Sequence, residues 1–254
     1  MAEAVPAAPE HLASPTLYRP DASACPHIDR GEVLRYLGYT GQDIDGELAA
    51  RIELIECNLE HDIAPRGIWR AFPVDARGID ASGNPCIRLV GTTVELQGRD
   101  IFRHLKDSTS CVLLACTLGM ESERRLHALG GQSPLEATVL DAAASAYVEA
   151  AVDQMDAAIG RAARESGLSR NRRFSCGYGD CPIEAQDAIV AALDATRRIG
   201  LTVTPTHLLL PSKSVTAMIG LFEGMEPAAD ARPSCANCRV AGACAFRERG
   251  TTCY

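Results

Sequence analysis

Several common signatures of function are missing from this chain of 254 residues. It has no P-loop, no nucleophile elbow and no H-E-x-x-H spacing, so nothing in it requires a hydrolase. Its six histidines are isolated, and we assign them core or surface positions rather than ligation or catalysis. A basic excess is also lacking, because the net charge is -8. We therefore expect no nucleic-acid partner.

Long hydrophobic runs are absent as well. The N-terminus lacks the basic start and apolar core of a signal peptide, and the Ala-rich segment 137–158 is interrupted by Asp141, Glu149, Asp153 and Asp156. With 46% hydrophobic and 23% charged residues, the chain can bury a sizeable core. We therefore expect a soluble cytoplasmic protein without a membrane partner.

Apolar periodicity predicts both helices and strands. Ser133 is expected to cap the longest helix, with Pro134 at its first position and Glu136 completing a capping box. Helices are predicted at 29–38, 45–59, 100–106, 133–165 and 182–198, and strands at 68–74, 86–96, 111–118, 201–210 and 214–222. The chain thus combines a sheet with helices beside it.

Composition divides the chain into three parts. Residues 1–28 are rich in Ala and Pro without sustained periodicity, and they are interpreted as a flexible N-terminal arm. Residues 29–224 carry the predicted helices and strands and form the main domain. Residues 225–254 shift to Pro, Ala, Arg and Cys, which indicates a Cys-rich C-terminal appendage.

Cysteines are numerous for a cytosolic chain, with eleven in all. Cys25, Cys57, Cys86, Cys111 and Cys116 are scattered, and we interpret them as small buried hydrophobes. The C-terminal appendage contains a C-x2-C-x5-C-x8-C pattern formed by Cys235, Cys238, Cys244 and Cys253. Four thiolates in a short segment can hold zinc or an iron–sulfur cluster, and the spacing does not choose between them. Free thiols are the alternative.

The stretch from Arg173 to Pro182, R-F-S-C-G-Y-G-D-C-P, has residue types suited to a small charged ligand. Arg173 offers a rigid fork of donors to a carboxylate, and Tyr178 offers a flat face and a hydroxyl. The glycines permit close approach or a positive φ. The alternative is a strand, a glycine turn and a Pro-initiated helix with no ligand.

The pattern R-x-x-x-G-Y at 173–178, C-P at 181–182 and L-L-P-S-K-S-V-T at 209–216 resembles the S-adenosylmethionine-binding activation domain of cobalamin-dependent methionine synthase. It is more similar still to the short stand-alone form of that domain. The resemblance covers residues 30–222 and is strongest over 133–220. It implies an α+β fold in which helices pack on a bent antiparallel sheet.

The resemblance also implies a role in reactivating cobalamin. In methionine synthase, cob(I)alamin is occasionally oxidised to inactive cob(II)alamin, and recovery needs an electron and a methyl group from S-adenosylmethionine. The implied partners are a cobalamin-binding methionine synthase or other corrinoid protein, and a reductant such as flavodoxin or ferredoxin. This chain would be a component of that methyltransferase activity in methionine biosynthesis rather than a complete enzyme.

Carried onto this sequence, the resemblance gives five residues a role in S-adenosylmethionine binding. Arg173 would pair with the methionyl carboxylate, Ser175 and Gly177 would offer backbone groups, and Tyr178 would pack against the ligand. Glu149 would meet the α-ammonium or the sulfonium. The alternatives are a surface ion pair for Arg173 and a solvated helix face for Glu149.

Three departures from the family pattern stand out. Cys176 replaces a usual Pro, the aromatic expected after the second motif has no counterpart, and the N-terminal aspartate motif of the long form is not recognisable. Two alternative functions therefore stay open. One is reactivation of another corrinoid methyltransferase, and the other is a non-catalytic metal-binding interaction protein on the same fold.

Overall fold

The computed structural model describes residues 8–39, 41–224, 242 and 245–248. The helices in these ranges are α1 (Glu10–Ala13), α2 (Arg30–Tyr36), α3 (Gly46–Asp62), α4 (Arg99–Leu105), α5 (Met120–Gly130), α6 (Pro134–Glu165), α7 (Ala185–Ala192), α8 (Ala195–Ile199) and α9 (Ala245–Glu248), with a 3-10 turn at Ala22–Ala24. The strands are β1 (Thr16–Tyr18), β2 (Arg66–Ile79), β3 (Pro85–Leu89), β4 (Glu95–Leu96), β5 (Ser110–Thr117), β6 (Leu168–Arg170), β7 (Thr202–Val203), β8 (Leu209–Leu210) and β9 (Ser214–Glu223).

An antiparallel sheet forms the centre of the described chain. Its strand order is β4-β3-β2-β5-β9-β6, and β1 pairs with β2 as a further strand, while β7 and β8 form a separate pair. A register shift between Asp75 and Gly78 in β2 marks an irregularity, which bends a strand and increases its twist. The predicted α+β fold class, with an antiparallel sheet and packed helices, is confirmed.

Strand β5 lies in the middle of this sheet and is buried along its whole length. Because successive side chains point to opposite faces, Val112 and Leu114 join the core on the α6 side. Cys111 and Leu113 join a second core that includes side chains from α4, α7 and α8. The continuous apolar run that was predicted as a buried strand therefore contributes side chains to both cores.

Helix α6 is the longest element, with 32 residues. Ser133 caps it as predicted, since its side chain accepts a hydrogen bond from the amide of Glu136 and Pro134 opens the helix. Among the described helices, none has both the length and the apolar character that a membrane crossing requires.

Close packing between α6 and the sheet depends on small residues. Ala143, Ala144 and Ala151 are fully buried. A β-carbon added to Gly67 of β2 would lie 2.4 Å from the sulfur of Met155, so only glycine fits there without a shift. The Ala-rich stretch of the sequence thus permits a short distance between helix and strand.

The N-terminal region differs from the predicted flexible arm where it is described. Leu12 of α1 is 1% exposed, β1 pairs with β2, and the Tyr18 hydroxyl donates to Gln154 of α6 over 2.7 Å. A three-residue strand is too short to produce a detectable period, which is why the sequence did not predict it. The three-part division at residues 28 and 224 stays a prediction.

The single helix predicted over 182–198 is two shorter helices. Asp194 takes a left-handed conformation with φ 50° and separates α7 from α8. Aspartate tolerates this region better than most residues, and its carboxylate pairs with Arg197 and Arg198. The strand predicted over 201–210 is likewise two short strands joined by a turn at His207, where φ is 61°.

Candidate functional site

The stretch predicted to bind a ligand runs along the edge of the sheet. Phe174 forms an antiparallel bridge with Met218 of β9. Its amide donates to the Met218 carbonyl over 2.9 Å, and the Met218 amide donates back over 2.8 Å. This pairing fixes the backbone next to Arg173.

A closed turn follows at Gly177 to Cys181. The Gly177 amide donates to the Cys181 carbonyl over 3.0 Å, and the Cys181 amide donates to the Tyr178 carbonyl over 3.1 Å. Gly177 has φ 84° and Gly179 has φ 57°, a region that other residues rarely adopt. The glycine turn expected from the sequence is therefore present.

Asp180 attaches this turn to α4. Its carboxylate accepts hydrogen bonds from the amides of Arg99 and Asp100, over 2.8 Å and 2.9 Å. These amides open the first turn of the helix and have no partner within it. Asp180 also borders a cavity of about 470 Å³, with Arg99 and Phe102 among the other lining residues.

Arg173 lies against α6, three quarters buried. Its Nη2 is 3.5 Å from Oε2 of Glu149, and its Nη1 is 2.8 Å from Oδ1 of Asp153. The two acids are four residues apart and lie on one face of the helix. The structure thus places Arg173 in contact with Glu149, and both were predicted as site residues from the sequence. Asp153 was not predicted, and it joins them.

Nη1 of Arg173 is buried yet makes no hydrogen bond of acceptable geometry within the described residues. Its distance to Asp153 is short, so the two groups are in ion-pair contact with their donor and acceptor directions misaligned. Because a hydrogen bond weakens steeply when it is bent, this ion pair leaves the Nη1 donor poorly satisfied. A buried guanidinium N–H is therefore available to another acceptor.

Burial raises the pKa of Glu149 above its ordinary value. Arg173 opposes this shift by favouring the carboxylate, and the negative charges of Asp153 and Glu32 reinforce it. Glu149 nevertheless keeps 45% of its side chain exposed. A carboxylate in this position is stabilised when a second cation arrives.

Helix α2 contributes a part of the site that the sequence did not indicate. Tyr36 is 43% exposed, and the guanidinium of Arg35 lies 4.5 Å from the centre of its ring. Burial, followed by the charge of Glu149, raises the pKa of Tyr36. Glu32 of the same helix also acts electrostatically on Glu149. An aromatic and an acid therefore face this region from α2.

The second motif reaches the same helix. Lys213 is 2.7 Å from the carboxylate of Asp141 and donates to the Ser145 hydroxyl over 2.9 Å. Asp141, Ser145 and Glu149 are spaced four residues apart, so they share one face of α6. Only 11% of the Lys213 side chain is exposed. The turn at Pro211 to Lys213 is thus held on the face of α6 that Arg173 also contacts.

The remaining predicted site residues lie in the turn. Tyr178 is 68% exposed, and its amide donates to the Ser175 carbonyl over 3.4 Å. Gly177 is exposed and Ser175 is partly buried. The candidate site is therefore centred on Arg173, Glu149 and Asp153 at the middle of α6, near the end of α2. The turn itself packs with α4 on the second core.

The predicted metal ligands Cys235, Cys238, Cys244 and Cys253 lie outside the described residues. Within the described ranges, no group of three or more His, Cys, Asp or Glu side chains could hold a metal ion. Of the scattered cysteines, Cys86, Cys111 and Cys116 are buried as expected, whereas Cys57 is exposed. The metal site stays a prediction.

Comparisons with known proteins establish the fold. No protein-family model matches this chain, and no curated protein sequence matches it. Among solved structures, the chain is similar to the MetH reactivation domain in its crystal structure bound to AdoHcy. The TM-score is 0.61 and the sequence identity is 16%, over 99% of this chain and 90% of the other. The chain therefore has the fold of that reactivation domain.

Proposed function

We propose that this chain binds S-adenosylmethionine at the Arg173 surface and presents it to a cobalamin-dependent methionine synthase for reductive reactivation. The observation that carries the proposal is the state of Arg173. Its Nη1 is buried, is close to an acid, and lacks an aligned acceptor within the described residues. A carboxylate ligand would supply that acceptor, and the solved structure with this fold contains AdoHcy, which also has a carboxylate.

The residues around Arg173 fit the other end of an amino-acid ligand. An α-amino group next to the carboxylate would lie near Glu149, whose Oε2 is 3.5 Å from the guanidinium. Because burial raises the pKa of Glu149, a bound ammonium would restore the stability of its charged form. A zwitterionic ligand thus satisfies both side chains at once.

Two exposed tyrosines suit the nucleoside. Tyr178 stands at the tip of the turn, and Tyr36 lies at the end of α2. Flat aromatic faces pack well against a base and favour a nearby cation. The family pattern has an aromatic after the second motif, and this chain has no counterpart there. Tyr36 would supply an aromatic from α2 instead.

S-adenosylmethionine, when bound, supplies a methyl group from its sulfonium centre. The proposed work of this chain is to hold the ligand by its carboxylate and ammonium and to leave that methyl group accessible to a partner. The corrinoid and the electron come from other proteins, such as a methionine synthase and a flavodoxin or ferredoxin. The openness of the site favours such a partner-dependent role.

Reconstitution tests this proposal. A methionine synthase lacking its own activation domain, inactivated by oxidation, is mixed with this chain, S-adenosylmethionine and a reductant. We expect recovery of activity with the wild type, little with Arg173→Ala, and full recovery with Arg161→Ala, which changes an exposed arginine of α6. Equal recovery by the wild type and Arg173→Ala contradicts the role of Arg173.

The same assay separates the alternatives. Recovery only when another corrinoid methyltransferase replaces methionine synthase identifies a different partner. Absence of recovery with every corrinoid partner favours the non-catalytic interaction protein.

A further inference from the structure

Two cysteines stand at the ends of the turn that carries Gly177 and Tyr178. Cys176 is 9% exposed and Cys181 is 3% exposed, and each thiol shifts the pKa of the other. The Gly177 amide bonds to the Cys181 carbonyl over 3.0 Å, so the backbone also holds the two residues together. Both side chains join the same apolar core.

We propose that Cys176 and Cys181 form a reversible disulfide that closes this turn covalently. The pair spans a short loop with two glycines at positive φ, which gives the backbone freedom to adjust. A disulfide needs β-carbons about 3.5–4.5 Å apart and a sulfur separation of about 2.0 Å. The hydrogen bond from the Gly177 amide to the Cys181 carbonyl holds the two cysteines on adjacent backbone segments, from which their side chains can reach that geometry.

We expect the two thiols to differ in reactivity. The neighbouring Cys176 thiol lowers the pKa of Cys181, because it can donate to the Cys181 thiolate, and the same interaction raises the pKa of Cys176. Burial without a thiol partner has a different effect on Cys111 and Cys116, where it raises the pKa to about 12. Since the thiolate is the nucleophile, Cys181 is the attacking residue.

The disulfide between Cys176 and Cys181 forms by thiol–disulfide exchange with a small disulfide such as oxidised glutathione. The Cys181 thiolate attacks one sulfur of the small disulfide, forms a mixed disulfide and releases one glutathione thiol. Cys176 then loses its proton, attacks the Cys181 sulfur and releases the second glutathione thiol. The two cysteines lose two electrons and two protons, and the oxidant becomes two thiols.

Access to these buried thiols follows from the turn itself. Gly177, Tyr178 and Gly179 are all exposed, and together with Asp180 they are the only residues between the two cysteines. Local opening of this short segment uncovers both sulfurs without unfolding the core. Cys111 and Cys116 of β5 have no short exposed loop beside them that could open, because the whole strand is buried between two cores.

Peptide mapping of the full chain tests the inference, and it requires no S-adenosylmethionine. The anaerobically purified native protein is treated with oxidised glutathione, quenched with N-ethylmaleimide, digested and analysed by mass spectrometry. We expect a peptide that contains both Cys176 and Cys181, carries no alkyl group and has the mass of the dithiol form less two hydrogen atoms. Treatment with a reducing dithiol is expected to restore both thiols. Cys111 provides an internal control that stays unlinked.

Two variants sharpen the result. Replacing Cys235, Cys238, Cys244 and Cys253 with serine removes competing thiols, and the link is expected to persist. In Cys176→Ser, the mixed disulfide with glutathione is expected to accumulate on Cys181. Alkylation of both Cys176 and Cys181 after oxidation, or a link that forms only in urea, overturns the proposal. A failure to bind S-adenosylmethionine leaves this outcome unaffected, so the two proposals fail separately.

Discussion

Arg173 and Asp153 are 2.8 Å apart, yet the Nη1 donor of Arg173 makes no aligned hydrogen bond within the described residues. Asp153 is 71% exposed, so water competes for its charge. The contact is therefore an ion pair between a mostly buried guanidinium and an exposed carboxylate, and solvent weakens it. A ligand carboxylate that approaches Arg173 competes with Asp153 and can align better.

This competition predicts that Asp153→Asn tightens S-adenosylmethionine binding. Removing the rival charge at an exposed position is expected to improve affinity about two- to fivefold. Equilibrium dialysis with labelled ligand measures the change. Glu165→Gln, the same loss of charge at the exposed end of α6, is the control and is expected to leave affinity unchanged. Weaker binding by Asp153→Asn contradicts the competition.

Glu149 makes stability depend on pH. Its pKa is raised in the folded protein above the ordinary value of 4.5, so the folded chain holds this proton more tightly than the unfolded chain. The resulting stability is present below pH 4.5 and is lost as the pH rises through the folded pKa. Glu149→Gln removes this dependence.

We expect the free energy of unfolding of Glu149→Gln, minus that of the wild type, to grow as the pH rises through this window. Urea unfolding at a series of pH values measures it, with Glu165→Gln as the control. A difference that is flat or declines with pH contradicts the raised pKa.

Gly67 and Met155 define the closest approach of α6 to the sheet. In Gly67→Ala the new β-carbon meets the Met155 sulfur at 2.4 Å and the Ala115 carbonyl at 3.1 Å. We expect a loss of about 1–3 kcal/mol in the free energy of unfolding, as for overpacked cores. Denaturant unfolding measures this loss. The cost should fall when Met155→Ala is already present, and strictly additive costs would show that the sulfur is not the obstacle.

Asp180 is predicted to stabilise α4 from a distant part of the chain. Asp180→Ala removes the acceptor for the amides of Arg99 and Asp100, at an expected cost of about 1–2 kcal/mol. Faster amide hydrogen exchange over residues 99–105 would report it. Asp180→Asn retains one oxygen acceptor and should lose less. Unchanged exchange in Asp180→Ala would contradict this anchoring role.

Local chemistry explains which parts of the fold the sequence predicted well. Ser133 and Pro134 fix the start of α6, and the apolar run of β5 identifies a buried strand, because caps and periodicity act within a few residues. Asp194 was missed because a left-handed aspartate does not interrupt the apolar pattern around it. The pairing of β1 with β2 joins residues that are 49 to 53 positions apart in the sequence.

The candidate site was predictable only in part for the same reason. Arg173 could be selected from its motif, and the structure shows that it contacts Glu149. Asp153, Tyr36 and Lys213 were not predicted as site residues, because they come near the site only through the packing of α2, α6 and the turn before β9. The spacing of Asp141, Ser145, Glu149 and Asp153 at every fourth residue was the available signal. It indicates a shared helix face without saying what that face meets.

Calorimetric titration of the full chain with S-adenosylmethionine tests the central claim most directly. The account predicts a heat of binding for the wild type, about 10- to 100-fold weaker binding for Arg173→Ala, and an intermediate loss for Arg173→Lys, which keeps the charge without the fork. Arg161→Ala should bind like the wild type. No heat for the wild type even with a corrinoid partner present, or undiminished binding by Arg173→Ala, would contradict the account.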